Sequence, residues 1–299
     1  MKEYFVWLAK LVTFLLVLLV FVPLLFGAIV AATKLDSLQM MEDDGKKKVA
    51  VLELTGIIQS SKDILKNLHK HLADDTVAGV VLRVDTPGGA VGPSQEIFSA
   101  VKALKAKKPI VASMGTVAAS GGLYAALGAS KVFCQPGTLT GSIGVILQVP
   151  NVSKIVSKYG FDMVTIKSGE LKDAGNMFRA MTEKDRQFLQ ATVAEAHEAF
   201  VQAVIDGRGL ERKAVEKFSD GRLILGSQAK ELGLVDDFGD VYAAARVVYE
   251  LAGEPLKEDE MPELLYSVGK FAELKKLLDT VVSLPSIFES HTKLQYLMG

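Results

Sequence analysis

The sequence predicts an α/β domain with a mainly parallel sheet and helices on both faces, preceded by one transmembrane helix. Three observations carry that prediction. β-like and helix-like segments alternate from residue 49 onward, which favours parallel strands linked by helical crossovers. The run Val77–Val84 is almost wholly apolar, as suits a buried strand. Residues 11–32 carry no charge at all, in a chain of 299 residues that is 49% hydrophobic.

The elements follow in order. Twenty-two residues from Leu11 to Ala32 span roughly 33 Å as a helix, enough to cross a hydrocarbon core. That length favours an uncleaved anchor over a cleaved secretory signal, although Val30 and Ala32 have the small size a cleavage site needs. Lys2 and Lys10 on the short side favour an N-terminus inside the cell, with Lys46–Lys48 narrowing the margin. The folded mass is then expected outside the cytoplasm. Residues 1–35 read as stub and anchor, 36–48 as a polar linker, 49–253 as one domain, and 254–299 as a helical extension and tail.

Within the domain, Val49–Leu54 is expected as a strand. Lys62–Leu72 is expected as a helix with Ile64, Leu65, Leu68 and Leu72 on one side. Strand Val77–Val84 runs into the turn Thr86-Pro87-Gly88-Gly89; a helix over 94–104 and a strand over Ile110–Met114 follow. Next come a Gly/Ala helix near 121–127, apolar runs at 132–134 and 145–147, a helix near 152–158 and a strand near Met163–Ile166. Thr182 with Asp185 resembles a capping box opening a long helix that closes at Asp206-Gly207. A helix over 241–251 and an amphipathic segment over 264–282 complete the pattern.

Composition narrows the function. A net charge of −1 without a long basic run argues against nucleic acid as a partner. The single cysteine, Cys134, allows no intrachain disulfide and no Cys-based metal motif; beside Val132 and Phe133 it reads as a buried structural thiol. No cofactor or metal is expected.

Four histidines, His69, His71, His197 and His291, lie in helices or the tail, and the pattern G-x-S-x-G is missing, so a His-based triad has no support. Ser120 nevertheless leaves a buried strand and opens a helix at Gly121-Gly122, where free N–H groups favour developing negative charge. An ordinary N-cap serine would look the same. The glycine pairs at Gly88-Gly89 and around Thr140–Gly144 read equally as oxyanion-binding turns or plain turns. A base other than His would be Lys, which acts near neutrality only if its pKa falls by about 2–3 units, most readily through burial. Lys167 and Lys172 both occupy the loop after Ile166, and spacing does not choose between them.

From about Val49 to Val248 the chain resembles the short form of signal peptide peptidase A. The resemblance rests on DTPGG (85–89), ASMGTVAASGGLYAA (112–126), TLTGSIGV (138–145), IKSGELKDAG (166–175) and GRLILGSQAKELGLVDDFG (221–239). It implies a Clp-protease/crotonase-like fold and a Ser/Lys peptidase. Carried over by position, it implies Ser120 as nucleophile, Lys172 as general base and Ser142 as the serine that hydrogen-bonds that lysine. The oxyanion glycine falls on Gly88 or Gly89, with Gly121 added from geometry. Asp173, beside Lys172, would oppose a neutral lysine unless paired elsewhere. The resemblance further implies a single-pass protein of a bacterial cytoplasmic membrane that cleaves remnant signal peptides. It implies a homo-oligomeric ring, eight subunits being one possible size, with Ser120 of one copy meeting Lys172 of the next. A crotonase-like acyl-CoA enzyme and a non-catalytic membrane scaffold are the alternatives.

Overall fold

The computed structural model describes residues 46–266 and 295–297, together with most of 3–24, which are helical. Met1–Lys46 and Lys47–Gly299 are separate compact units. Among the described residues no helix is long and apolar enough to cross a membrane; the span expected over 11–32 lies partly outside them.

The larger unit runs β1 (Lys48–Thr55), α1 (Lys62–Leu72), β2 (Val77–Thr86), β3 (Gly88–Ala90), α2 (Val91–Leu104) and β4 (Ile110–Ala118). There follow α3 (Gly121–Ala126), β5 (Lys131–Cys134), β6 (Leu139–Gly141), α4 (Ser153–Lys158) and a one-turn 3-10 helix, Glu170–Asp173. Then come α5 (Glu183–Arg208), α6 (Arg212–Val215), β7 (Leu223–Leu225), α7 (Gly226–Glu231), β8 (Asp237–Phe238), α8 (Val241–Leu251), β9 (Leu264–Tyr266) and β10 (Gln295–Leu297).

The sheet order is β7-β6-β4-β2-β1-β9, with β5 on β4 and β8 on β5. Every pairing in it is parallel except β6 with β7. Strand β4 is shared: residues 111–113 pair with β5, whereas Val117 pairs with Leu139 of β6. The sheet thus divides along β4, and Ser120 lies just beyond its end.

The two-residue period of a strand sorts side chains between two cores. Ala50, Leu52, Leu54, Val80, Leu82 and Val84 face one core, which includes Leu68 of α1, Ile97 of α2, Leu123 of α3 and Phe200 of α5. Val49, Val51, Val81 and Val111 face the other, closed by Ala244, Ala245, Val248 and Tyr249 of α8. Tyr124 is wedged between Phe98 and Phe200, with ring centroids 5.2 and 4.8 Å away, so aromatic packing seats α3 directly behind Ser120.

Several expectations need correction. Met163–Ile166 is not a strand: among the described residues no strand flanks it, and Val164 and Ile166 are exposed, so its backbone has nothing to pair with. Leu264–Tyr266, expected to begin an amphipathic helix, adds a parallel strand to β1; residues 267–282 lie outside the described ones. The long helix does not stop at Gly207 but runs to Arg208 and ends on Gly209 in the left-handed conformation. Gly207 instead allows close packing, since a Cβ there would meet the Leu127 carbonyl at 2.6 Å. The capping box is present: Thr182 accepts from the Asp185 N–H, and Asp185 accepts from the Thr182 N–H. Burial pushes the Cys134 thiol up to about 11.

Candidate active site

Three segments meet at the C-terminal end of the parallel strands. The first is the β4–α3 turn. Ser120 adopts φ 52° and ψ −116°, outside the regions open to L-residues without strain. Its N–H donates to the Gly141 carbonyl at 2.9 Å, and its carbonyl accepts from Tyr124 N–H at 2.9 Å. The backbone is therefore fixed on both sides while the side chain is left over. Its Oγ is buried and has no hydrogen-bond partner among the described residues. A buried hydroxyl normally finds one, so an unmet group at this turn marks a candidate for chemistry rather than packing.

The second segment is β3 with the turn before it. Thr86 Oγ1 accepts from the Gly88 N–H at 3.0 Å and also donates to the Gly56 carbonyl. Gly88 has φ 110°, a conformation that glycine tolerates. Ile58 brackets this strand: its N–H donates to the Gly88 carbonyl at 2.9 Å, and its carbonyl accepts from the Ala90 N–H at 2.7 Å. Gly89 sits so close to it that a Cβ would lie 2.1 Å from the Ile58 oxygen. Gly121 is pressed onto the same place, its ideal Cβ position being 3.1 Å from Gly89 N and 2.6 Å from Ser94 Oγ. As the first residue of α3, Gly121 has an N–H with no acceptor inside the helix. Strand β10 pairs antiparallel with β3, Tyr296 opposite Gly89, so part of the chain's own tail runs beside this site.

The third segment is the β6 turn. Ser142, at φ 50° and buried, donates its N–H to the Arg222 carbonyl at 2.7 Å. It directly follows Gly141, whose carbonyl holds Ser120. Ser120, Gly121, Gly88, Gly89 and Ser142 are therefore gathered in one place.

Lys172 is not gathered with them. It is exposed on the one-turn helix, its N–H donates to the Gly169 carbonyl at 3.1 Å, and among the described residues its ammonium makes no hydrogen bond or ion pair. Its exposure departs from the burial expected of a lysine base. Lys167, by contrast, is spent: it donates to the Glu170 carbonyl at 2.8 Å and pairs with Asp173. Asp173 also receives Arg179, through Nε at 2.8 Å and a second guanidinium nitrogen at 3.0 Å. Hydrogen bonds from Arg179 and then Lys167 hold the Asp173 carboxyl well below the usual carboxylate range. The same guanidinium grips Asp185, which it and Thr182 depress likewise.

Among the described residues the histidines stay out of the site. His197 Nε2 lies 2.8 Å from the Ser219 carbonyl, and burial lowers the pKa of His71 in α1; His291 is outside the described residues. No group of three or more His, Cys, Asp or Glu able to hold a metal occurs among the described residues. Sequence reasoning missed Thr86, which lies inside the DTPGG motif and braces Gly88, and Arg179, which follows no periodic signal.

A serine held on a strained strand-to-helix turn of a parallel α/β sheet, beside glycine-lined backbone, is an arrangement in which serine hydrolases present a nucleophile. The comparisons are specific. The model of peptidase family S49 matches residues 102–254. A protein of Synechocystis sp. assigned as a protease is 38% identical over 245 residues, 79% of this chain and 88% of that protein. An Enterococcus faecium protein assigned as signal peptide peptidase SppA is 36% identical over 212 residues, 66% of this chain and 62% of that one. Protease 4 of Salmonella typhi is 34% identical over 60% of this chain, but that match spans only 29% of its own length. Among solved structures, a mutant ClpP1 of Listeria monocytogenes aligns with a TM-score of 0.44 and 16% identity, over 64% of this chain and 91% of that one. The chain belongs to peptidase family S49, and it is a serine protease.

Proposed function

We propose that this chain is a membrane-anchored serine endopeptidase that cuts remnant signal peptides and other apolar, extended polypeptides, with Ser120 as nucleophile and Lys172 as general base. The observation that carries this is the buried, unpartnered Ser120 hydroxyl on its strained turn. Neutral Lys172 takes the Ser120 proton as Oγ attacks the peptide carbonyl. Backbone N–H groups around Gly88, Gly89 and Gly121 receive the developing oxyanion. Lys172 returns the proton to the departing amine, and water then releases the acyl-enzyme. Ser142 orients the lysine.

Because, among the described residues, Lys172 is exposed and the Ser120 hydroxyl is unmet, the dyad forms between neighbouring copies of a homo-oligomeric ring, an octamer in our reading. The excursion that carries Lys172 supports this. It exposes Ile155, Tyr159, Phe161, Met163, Val164 and Ile166, the last 97% accessible, more apolar surface than a monomer usually leaves in one place. The antiparallel seat of β10 on β3 supports an extended peptide as substrate, added as one more strand. The bilayer is engaged through residues 11–32, with the domain on the outer side of a bacterial cytoplasmic membrane. No nucleic acid and no cofactor take part.

The test is covalent labelling of Ser120 in the assembled full-length protein by a fluorophosphonate, read by mass spectrometry. Stoichiometric labelling, lost in Ser120→Ala, is expected. A folded, assembled protein that stays unlabelled would overturn the reading in favour of a crotonase-like or non-catalytic role.

A further inference from the structure

The strongest charge cluster outside the serine turn lies around the one-turn helix that carries Lys172, and its wiring has a direction. Asp173 is next to Lys172 in the chain, and a free carboxylate there would hold the Lys172 ammonium protonated and unable to accept a proton. The carboxylate is not free. Arg179 binds it side-on through Nε and a terminal nitrogen, and also donates to the Asp173 backbone carbonyl at 3.0 Å. The other edge of the guanidinium is bound to Asp185, which is 2% exposed and closes the capping box of α5. One planar side chain thus rivets the Lys172 turn to the first turn of a 26-residue helix.

The remaining charges facing this turn are also matched. Lys167 from the preceding loop pairs with Asp173, and Lys184 from α5 pairs with Glu170. Of the charged side chains named on and against the turn, Lys172 alone is left without a partner among the described residues, and it is the one the proposed chemistry needs.

Resting on the reading of Lys172 as base, we infer that Arg179 is a positioning residue for the reaction: it fixes the Lys172 turn to α5 and, together with Lys167, keeps the Asp173 carboxylate occupied so that Lys172 can act as a neutral base. Arg179 touches neither the nucleophile nor, in this arrangement, the peptide, so its effect passes through Lys172. Arginine suits the task because its fork grips two carboxylates at once, which a lysine ammonium does with less geometric control.

The experiment measures kcat, KM and the pH–rate profile of the assembled full-length protein on a fluorogenic peptide. The variants are Arg179→Ala, Arg179→Lys, Asp173→Asn and the double variant Arg179→Ala/Asp173→Asn, with Lys172→Ala as reference. Arg179→Ala is expected to lower kcat at neutral pH by tenfold or more, with KM changed less than twofold. The acid limb of its profile should move to higher pH by about one unit, the size expected for a carboxylate brought against an ammonium. Removing that carboxylate as well should return the limb to its wild-type position, even though the rate stays low for want of the rivet. Arg179→Lys should recover part of kcat, and it decides the matter if Arg179→Ala does not fold. Wild-type kcat and an unmoved limb in a folded, assembled Arg179→Ala or Arg179→Lys protein would overturn the inference while Lys172→Ala is inactive. Substantial turnover in Lys172→Ala would instead overturn the reading of the base on which it rests.

Discussion

Replacing Gly89 with alanine tests whether the β3 backbone, rather than any side chain, organises the reaction. The new Cβ would stand 2.1 Å from the Ile58 oxygen, 2.5 Å from its nitrogen and 2.6 Å from its carbonyl carbon. Non-bonded atoms settle near 3.5 Å, so the strand must retreat by roughly 1 Å or more. All three neighbours are backbone, and no rotamer change relieves the clash. The retreat breaks the two hydrogen bonds of the bracket, Ile58 N–H to Gly88 O and Ala90 N–H to Ile58 O. At about 0.5–1.5 kcal/mol each, their loss costs about 2 kcal/mol. A domain of this size then melts roughly 4–8 °C lower. Catalysis should suffer more than stability, because a displacement of about 1 Å at positioned groups costs on the order of 100-fold in rate. The assay is kcat/KM on a fluorogenic peptide beside a thermal melt, at a temperature where the variant is fully folded. Gly92→Ala, three residues further on, exposed and with nothing within 4 Å of its Cβ, is the matched control and should leave both readings near wild type. A Gly89→Ala protein with wild-type kcat/KM would refute the claim that the β3 backbone is part of the machinery.

Three further outcomes are expected. Ser120→Ala and Lys172→Ala chains, each inactive alone, should regain about a quarter of wild-type activity when dissociated and reassembled in equal amounts, since that fraction of interfaces joins an intact serine to an intact lysine; mixed rings that form yet stay inactive would place each dyad within one subunit. Deleting residues 290–299, which include the strand seated on Gly88–Ala90, should lower KM for a short peptide, and an unchanged KM with assembly preserved would exclude competition by the tail. The Cys134 thiol, buried and pushed up to about 11, should resist iodoacetamide at neutral pH until the domain unfolds; rapid labelling of native protein would contradict its burial.

Much of the architecture was legible in local pattern. Strand β2 and helix α8 declare themselves because a doubly buried strand is apolar along its length and a surface helix repeats its apolar residues every three to four positions. Thr182 and Asp185 announce the start of α5 for the same kind of reason, since a cap is satisfied within four residues. The serine turn was visible as a glycine-flanked hydroxyl after a buried strand, and five ordered motifs pointed to its family.

Other features were decided only by the folded chain. Strands β6, β7 and β9 are three residues each, too short for a periodic signal, and exist because a partner strand is already in place. Met163–Ile166 has the composition of a strand but finds no partner among the described residues, so composition alone misreads it. Whether Ser120 reads as a plain N-cap or a poised hydroxyl depended on its φ of 52° and an Oγ without a partner among the described residues, which are properties of the turn rather than of the residue. Spacing left Lys167 and Lys172 equivalent, and folding separated them by giving Lys167 to Asp173 and leaving Lys172 exposed. Arg179 carries no signal in the sequence at all. Its role arises because one guanidinium reaches two carboxylates twelve residues apart, Asp173 and Asp185, a contact that exists only once the loop has closed against the helix.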